Sequence, residues 1–155
     1  FVGAVKNKFL FKKNISKRQF SLNDYENRLG DHVNNYVFQI KLINQICNSN
    51  KTHFVNVLQP CLIESKKKFT ETESEIINSI EVKYPLYKHI SKMFFDSVSK
   101  EIANLDDYKD TYLDLRFLFD NEDSQIFIDP CHMGDRGNDL ISKFLFKKIG
   151  LSFLT

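Results

Sequence analysis

A chain of 155 residues has the size of one ordinary domain, and 42% apolar residues with 15 phenylalanines are enough to fill a core. A formal charge of +2 is too small to indicate a nucleic-acid partner, and no apolar run approaches the ~18 residues of a membrane span. Three cysteines, Cys47, Cys61 and Cys131, are odd in number and lack C-x-x-C spacing, which argues against a disulfide framework and a zinc centre and for reduced, mostly buried thiols.

Residues 1–20 carry Lys6, Lys8, Lys12, Lys13, Lys17 and Arg18 with no acid among them. Without a helical or alternating period, they read as a basic, solvated loop crossing the mouth of the sheet rather than as a membrane or nucleic-acid patch. Ser21 followed by Asp24 has the form of a helix start. Leu22, Tyr25, Leu29, Val33, Tyr36, Val37, Ile40, Ile43 and Cys47 then recur at three and four, which predicts a long helix to about residue 48. After Asn48-Ser49-Asn50, residues 52–58 are apolar on both faces and predict a buried, parallel strand.

Lys66-Lys67-Lys68 reads as an exposed connection. Thr70 with Glu71, Glu73 and Glu75 suits the amino end of a second helix, which Pro85 interrupts. From Leu86 to Leu105 helical spacing resumes, and Asp106, Asp107 and Asp110 are expected to close this helical hairpin. A short strand is predicted at 112–115 and another at 125–128. A last helix carries Leu140, Ile141, Phe144, Leu145 and Ile149 on one face, with Lys147, Lys148 and Gly150 at its carboxyl end.

Chemistry concentrates in residues 126–138, I-F-I-D-P-C-H-M-G-D-R-G-N. Asp129 and His132, three apart in a turn after a strand, form a candidate pair in which the acid holds one ring nitrogen and leaves the other as a general base. Taken alone, a lone histidine is more often structural, and Asp129 would serve as a turn cap. Cys131 is a poor candidate nucleophile, because sequence neighbours rarely point together. Asp129, Cys131 and His132 lack the spaced second ligand group of a metal site. His32, His53 and His89 read as surface residues, and no cofactor motif is present.

Residues 129–138 resemble the last conserved block of the SGNH (GDSL-type) hydrolases, in which D-x-x-H precedes a helix opened by Gly-Asn. The matching residues are Asp129, His132, Gly137 and Asn138. The predicted helix from Leu22, the strand closing on Leu58-Gln59-Pro60, and Leu113-Asp114-Leu115-Arg116 extend the resemblance over most of the chain from Ser21. Gly134 stands where relatives often carry Ser or Thr, a departure that helix capping tolerates.

The resemblance implies an α/β fold: the carboxyl-terminal portion of a flavodoxin-like three-layer α/β/α sandwich with a parallel sheet. Residues 1–155 would form a single partial domain, with 1–20 as a basic loop segment and 21–155 as the SGNH-like part. The strand 52–58 would then sit beside 125–128, with its other edge left to a strand outside the chain. The activity implied is ester hydrolysis, as an esterase, lipase or carbohydrate O-deacetylase acting on a small ester, a lipid or an acylated sugar. His132 would be the base and Asp129 its orienting acid. The G-D-S nucleophile block and the G-x-N-D oxyanion block of that family are absent, since Gly137-Asn138-Asp139 follows the histidine. The serine is therefore expected outside this chain, and these 155 residues are expected to be inactive alone. The competing expectation is a non-catalytic α/β interaction module that retains the fold.

Overall fold

The computed structural model describes residues 21–105, 108 and 111–150. The basic segment 1–20 and the acids Asp106, Asp107 and Asp110 lie outside the described residues. In chain order the elements are α1 (Leu22–Ser49), β1 (Asn56–Leu58), α2 (Glu71–Lys83), α3 (Tyr87–Ala103), β2 (Tyr112–Asp114) and α4 (Asp135–Ile149).

The long first helix starts where its capping chemistry predicts. Ser21 accepts the Asp24 N–H through its hydroxyl, and the Asp24 carboxylate accepts the Ser21 N–H in return. At the other end, the Lys51 N–H reaches the Asn48 carbonyl and the Thr52 N–H reaches that of Cys47. Those two bonds make a Schellman close, with Lys51 in the left-handed position at φ 54°. Val33, Val37 and Ile40 pack on Val98 and Ile102 of α3 and on Tyr108. Each such side chain contributes about 1.5–3 kcal/mol on full burial. On α1, Phe38, Leu42 and Ile46 remain exposed.

The flavodoxin-like sandwich expected from the resemblance is not what the described residues build. They are mostly helical, and their sheet has two strands, β1 and β2, paired in parallel with Asn56 opposite Tyr112 and Leu58 opposite Asp114. The predicted strand 112–115 is therefore present, but 125–128 is not a neighbour of 52–58. Its backbone is occupied elsewhere: Ile126 and Phe127 donate their N–H groups to the Glu73 carboxylate of α2, and Phe127 bridges antiparallel to Met133. A side chain has taken the place that a neighbouring strand would fill. Residues 52–55 likewise lie outside β1.

Two charge clusters, each centred on a buried cation, tie the elements together. Arg116 forks onto Asp114 at the end of β2, reaches Asp96 on α3 at 2.8 Å, and lies 3.7 Å from Glu64 after β1. A planar guanidinium suits this bidentate task. Burial works to raise the Asp114 pKa, but the Arg116 and Ser99 hydrogen bonds prevail and lower it. The second cluster is Lys67 with Glu73, both fully buried. The lysine run is thus an exposed connection only at Lys66 and Lys68; Lys67 turns inward. Among the described residues no helix is long and apolar enough to cross a membrane.

Candidate active site

Asp129 follows an apolar segment whose Ile126 and Phe127 are buried with Leu62 and Phe119. That anchoring fixes where the turn begins. The turn itself is gripped at its base, because the Ile128 N–H donates to the His132 carbonyl at 3.0 Å and the Gly134 N–H to that of Ile126 at 2.8 Å. It is docked sideways onto the chain leaving β1: the Leu62 N–H reaches the Pro130 carbonyl, and the Gln59 amide reaches that of Cys131. The site therefore lies just past the carboxyl end of β1.

The α4 helix closes the other side. Its Gly137 is pressed so tightly on Met133 and Ile126 that an added Cβ would stand 2.8 Å from Met133 Cβ and 2.9 Å from Ile126 Cγ2. Asn138 reaches back from its side-chain amide to the Met133 carbonyl. The Gly-Asn pair thus has a physical meaning in this chain: close approach at one residue, and a tether to the turn at the next. Gly134 caps α4 without a side-chain bond.

Within the turn, the structure brings Asp129 and His132 together. Asp129 Oδ1 accepts the N–H groups of Cys131 at 2.9 Å and His132 at 2.8 Å, while Oδ2 lies 2.7 Å from His132 Nδ1. The carboxylate caps the turn and holds the ring at once. The Cys131 N–H, then the ring and N–H of His132, draw the Asp129 pKa down to about 2. An ionised carboxylate only accepts, so Nδ1 carries the proton of a neutral ring and Nε2 keeps its lone pair. The ring is 70% exposed, and among the described residues nothing hydrogen-bonds to Nε2.

Cys131 comes closer to this pair than neighbouring positions usually allow, with Sγ 3.8 Å from Nδ1. That nitrogen is already committed to Asp129. Burial first, and then the Asp129 charge, raise the thiol pKa, so Cys131 is not an activated nucleophile. His32, His53 and His89 are exposed and distant in sequence from the turn.

Beside the turn, a groove of about 430 Å³ is lined by Ile76, Ile80, Lys83 and Tyr84 of the α2 side and by Ile128 and Asp129. A second groove of about 610 Å³ shares Lys83 and Tyr84 and runs on past Leu86, Tyr87 and Ile90. Both grooves are lined mainly by apolar side chains, with Glu75, Ser79 and Lys83 at the first, which reaches Asp129.

Sequence reasoning missed Glu73 as a part of this site. It was legible only as the acid of a Thr-x-x-Glu capping box, which it is: Thr70 and Glu73 exchange bonds at the start of α2. The same carboxylate also carries the backbone of Ile126 and Phe127, two residues before Asp129. Burial alone would raise its pKa; the Lys67 ammonium and the N–H groups of Ile126, Thr70 and Phe127 outweigh that and hold it at about 2.

Set against family models, curated proteins and solved structures, the chain matches none.

Proposed function

We propose that this chain supplies the base and its orienting acid to an SGNH-type ester hydrolase, with the nucleophilic serine and the oxyanion donors contributed by sequence outside these 155 residues. In this reading Nε2 of His132 takes the proton of the serine hydroxyl as its oxygen attacks the ester carbonyl. The imidazolium formed then returns a proton to the leaving alcohol. Asp129, ionised and fixed through Oδ1 by two backbone N–H groups, keeps the ring in the reactive tautomer. The groove along α2 receives the acyl or alcohol portion of a small ester, a lipid or an acylated sugar.

The observation that supports this most is the 2.7 Å Nδ1 to Oδ2 contact combined with an open Nε2. A histidine buried in the core would have both nitrogens bonded within the fold, whereas here one is held by Asp129 and the other faces solvent.

The test is turnover of a short-chain aryl ester by the natural protein that contains these 155 residues, with a serine-directed fluorophosphonate as a probe. Expected are hydrolysis and labelling, turnover lost in His132→Ala, and neither from the 155 residues alone. A natural protein that neither turns over esters nor labels would point to the non-catalytic interaction module instead.

A further inference from the structure

We propose that the 129–132 turn is also a coordination site for a thiophilic divalent cation, zinc foremost, held by Asp129 Oδ2, Cys131 Sγ and His132 Nδ1. Loading it would switch off the base, a consequence that rests on the function proposed above.

Spacing along the chain argues against a metal site here, because all three donors fall within four residues and no second ligand group follows. Their placement in space argues the opposite. The three ligand atoms lie within 4.8 Å of one another, with Nδ1 at 2.7 Å from Oδ2 and 3.8 Å from Sγ. Around a tetrahedral zinc with bonds of about 2.0–2.3 Å, donors stand roughly 3.3–3.6 Å apart. Oδ2 and Nδ1 need part by less than about 1 Å and Sγ close on Nδ1 by a few tenths of that, while Sγ and Oδ2, within 4.8 Å of each other, need draw together by up to about 1.2 Å. The exposed imidazole is free to make that rotation.

The outer shell is already in place. Asp129 Oδ1 stays on the N–H groups of Cys131 and His132, which orients Oδ2 toward the ion in the manner of built metal sites. One thiolate, one imidazole and one carboxylate form a borderline-soft set that favours zinc over magnesium or calcium. A fourth position remains for water.

The proton balance gives the site its consequence. The Cys131 thiol releases its proton to solvent as the thiolate binds. The imidazole exchanges its Nδ1 proton for the metal and carries its single proton on Nε2. That nitrogen then donates where the base must accept, so it has no lone pair for a serine proton.

The experiment is a cobalt(II) titration of the reduced protein, followed by its thiolate-to-metal charge-transfer absorption. One equivalent should produce the band, and zinc should bleach it. Cys131→Ser and His132→Ala should lose it, while Cys47→Ser and Cys61→Ser keep it. Circular dichroism of each variant, and protection of Cys131 from iodoacetamide by zinc in the unmutated protein, keep the result readable if one variant folds poorly. Absence of a thiolate band, or a band that survives Cys131→Ser, would overturn the site. In the ester assay, zinc should inhibit, a chelator should restore turnover, and Cys131→Ser should turn over without zinc inhibition. A cobalt band without ester turnover would leave the metal site standing and remove the triad; turnover without a band would do the reverse.

Discussion

Lys67 Nζ and Glu73 Oε2 meet at 2.5 Å with neither side chain exposed, and the other oxygen of the same carboxylate carries the N–H groups of Ile126 and Phe127. Removing the charge of one partner leaves the other buried and unpaired, which costs about 3–5 kcal/mol. Glu73→Gln should therefore lower stability by that order, although its amide oxygen can still accept from the 126–127 backbone. Adding Lys67→Met should recover much of the loss, since a neutral Gln beside an apolar side chain leaves no stranded charge. Chemical denaturation of the two variants measures both steps, and a double variant no better than the single would refute the account.

Glu73 and Asp129 also set the acid limit of the fold. Both carboxyls are held at about 2 in the folded protein, against roughly 4.3 and 3.9 for unfolded Glu and Asp. The folded values are the lower ones, so the unfolded chain binds more protons in acid. Their stabilisation is complete above about pH 5 and is lost as pH falls toward 2. Glu73 should dominate, because Asp129 is partly screened by solvent. Urea midpoints taken from pH 7 to pH 2.5 should fall steeply, and Glu73→Gln should flatten that slope.

Asp129→Asn separates the two tasks of this residue. The amide oxygen can keep accepting from the Cys131 and His132 N–H groups, but its NH2 now faces Nδ1 and forces the ring proton onto Nε2. Fold stability should fall only by the solvent-screened share that the ionised carboxylate contributes, less than in Glu73→Gln. Ester turnover in the assay above should drop by about 10⁴-fold, the scale seen when such an acid loses its charge in other triads. Comparable turnover in the variant would show that the tautomer does not matter.

How far the sequence revealed all this differs from element to element. The helices announced themselves through caps and period: Ser21 with Asp24, Thr70 with Glu73, Pro85 between α2 and α3, and basic residues before Gly150. Asp129 and His132 were legible because both lie in one short turn. The sheet was not. An apolar segment such as 125–128 has the same pattern whether its N–H groups meet a neighbouring strand or a buried carboxylate from 53 residues away, and only tertiary placement decides. Lys67 was hidden for a related reason: within a run of three lysines, nothing local marks the one that finds a buried partner.

Lys51 holds the left-handed position of the Schellman close with a side chain that disfavours it. Glycine removes the Cβ conflict there, so Lys51→Gly should raise stability, by about 0.5–1 kcal/mol after allowing for the more flexible unfolded chain. The thermal midpoint should rise accordingly, whereas Lys51→Val should lower it.

Gly137→Ala tests the close approach of α4. Ideal alanine geometry would improve helix propensity, yet its methyl would meet Met133 Cβ and Ile126 Cγ2 below 3.0 Å. Overpacking of this kind costs about 1–3 kcal/mol. The clash falls on the residue after His132, so turnover should fall in addition to stability, and His132 ring resonances should shift in nuclear magnetic resonance spectra.

The parallel pairing of Asn56 with Tyr112 spans the whole α2–α3 hairpin. Chain entropy must be surrendered over that length before the first rung forms, whereas the helical hairpin needs only local contacts. Order along the folding route follows from this: hairpin early, ladder late. The 129–132 turn hangs on both, through Glu73 on one side and Leu62, just beyond β1, on the other. It can be complete only after both have formed. Docking of the turn is thus a late event even though its own contacts are local, and in a refolding experiment the Leu62 amide should gain protection after those of the helical hairpin.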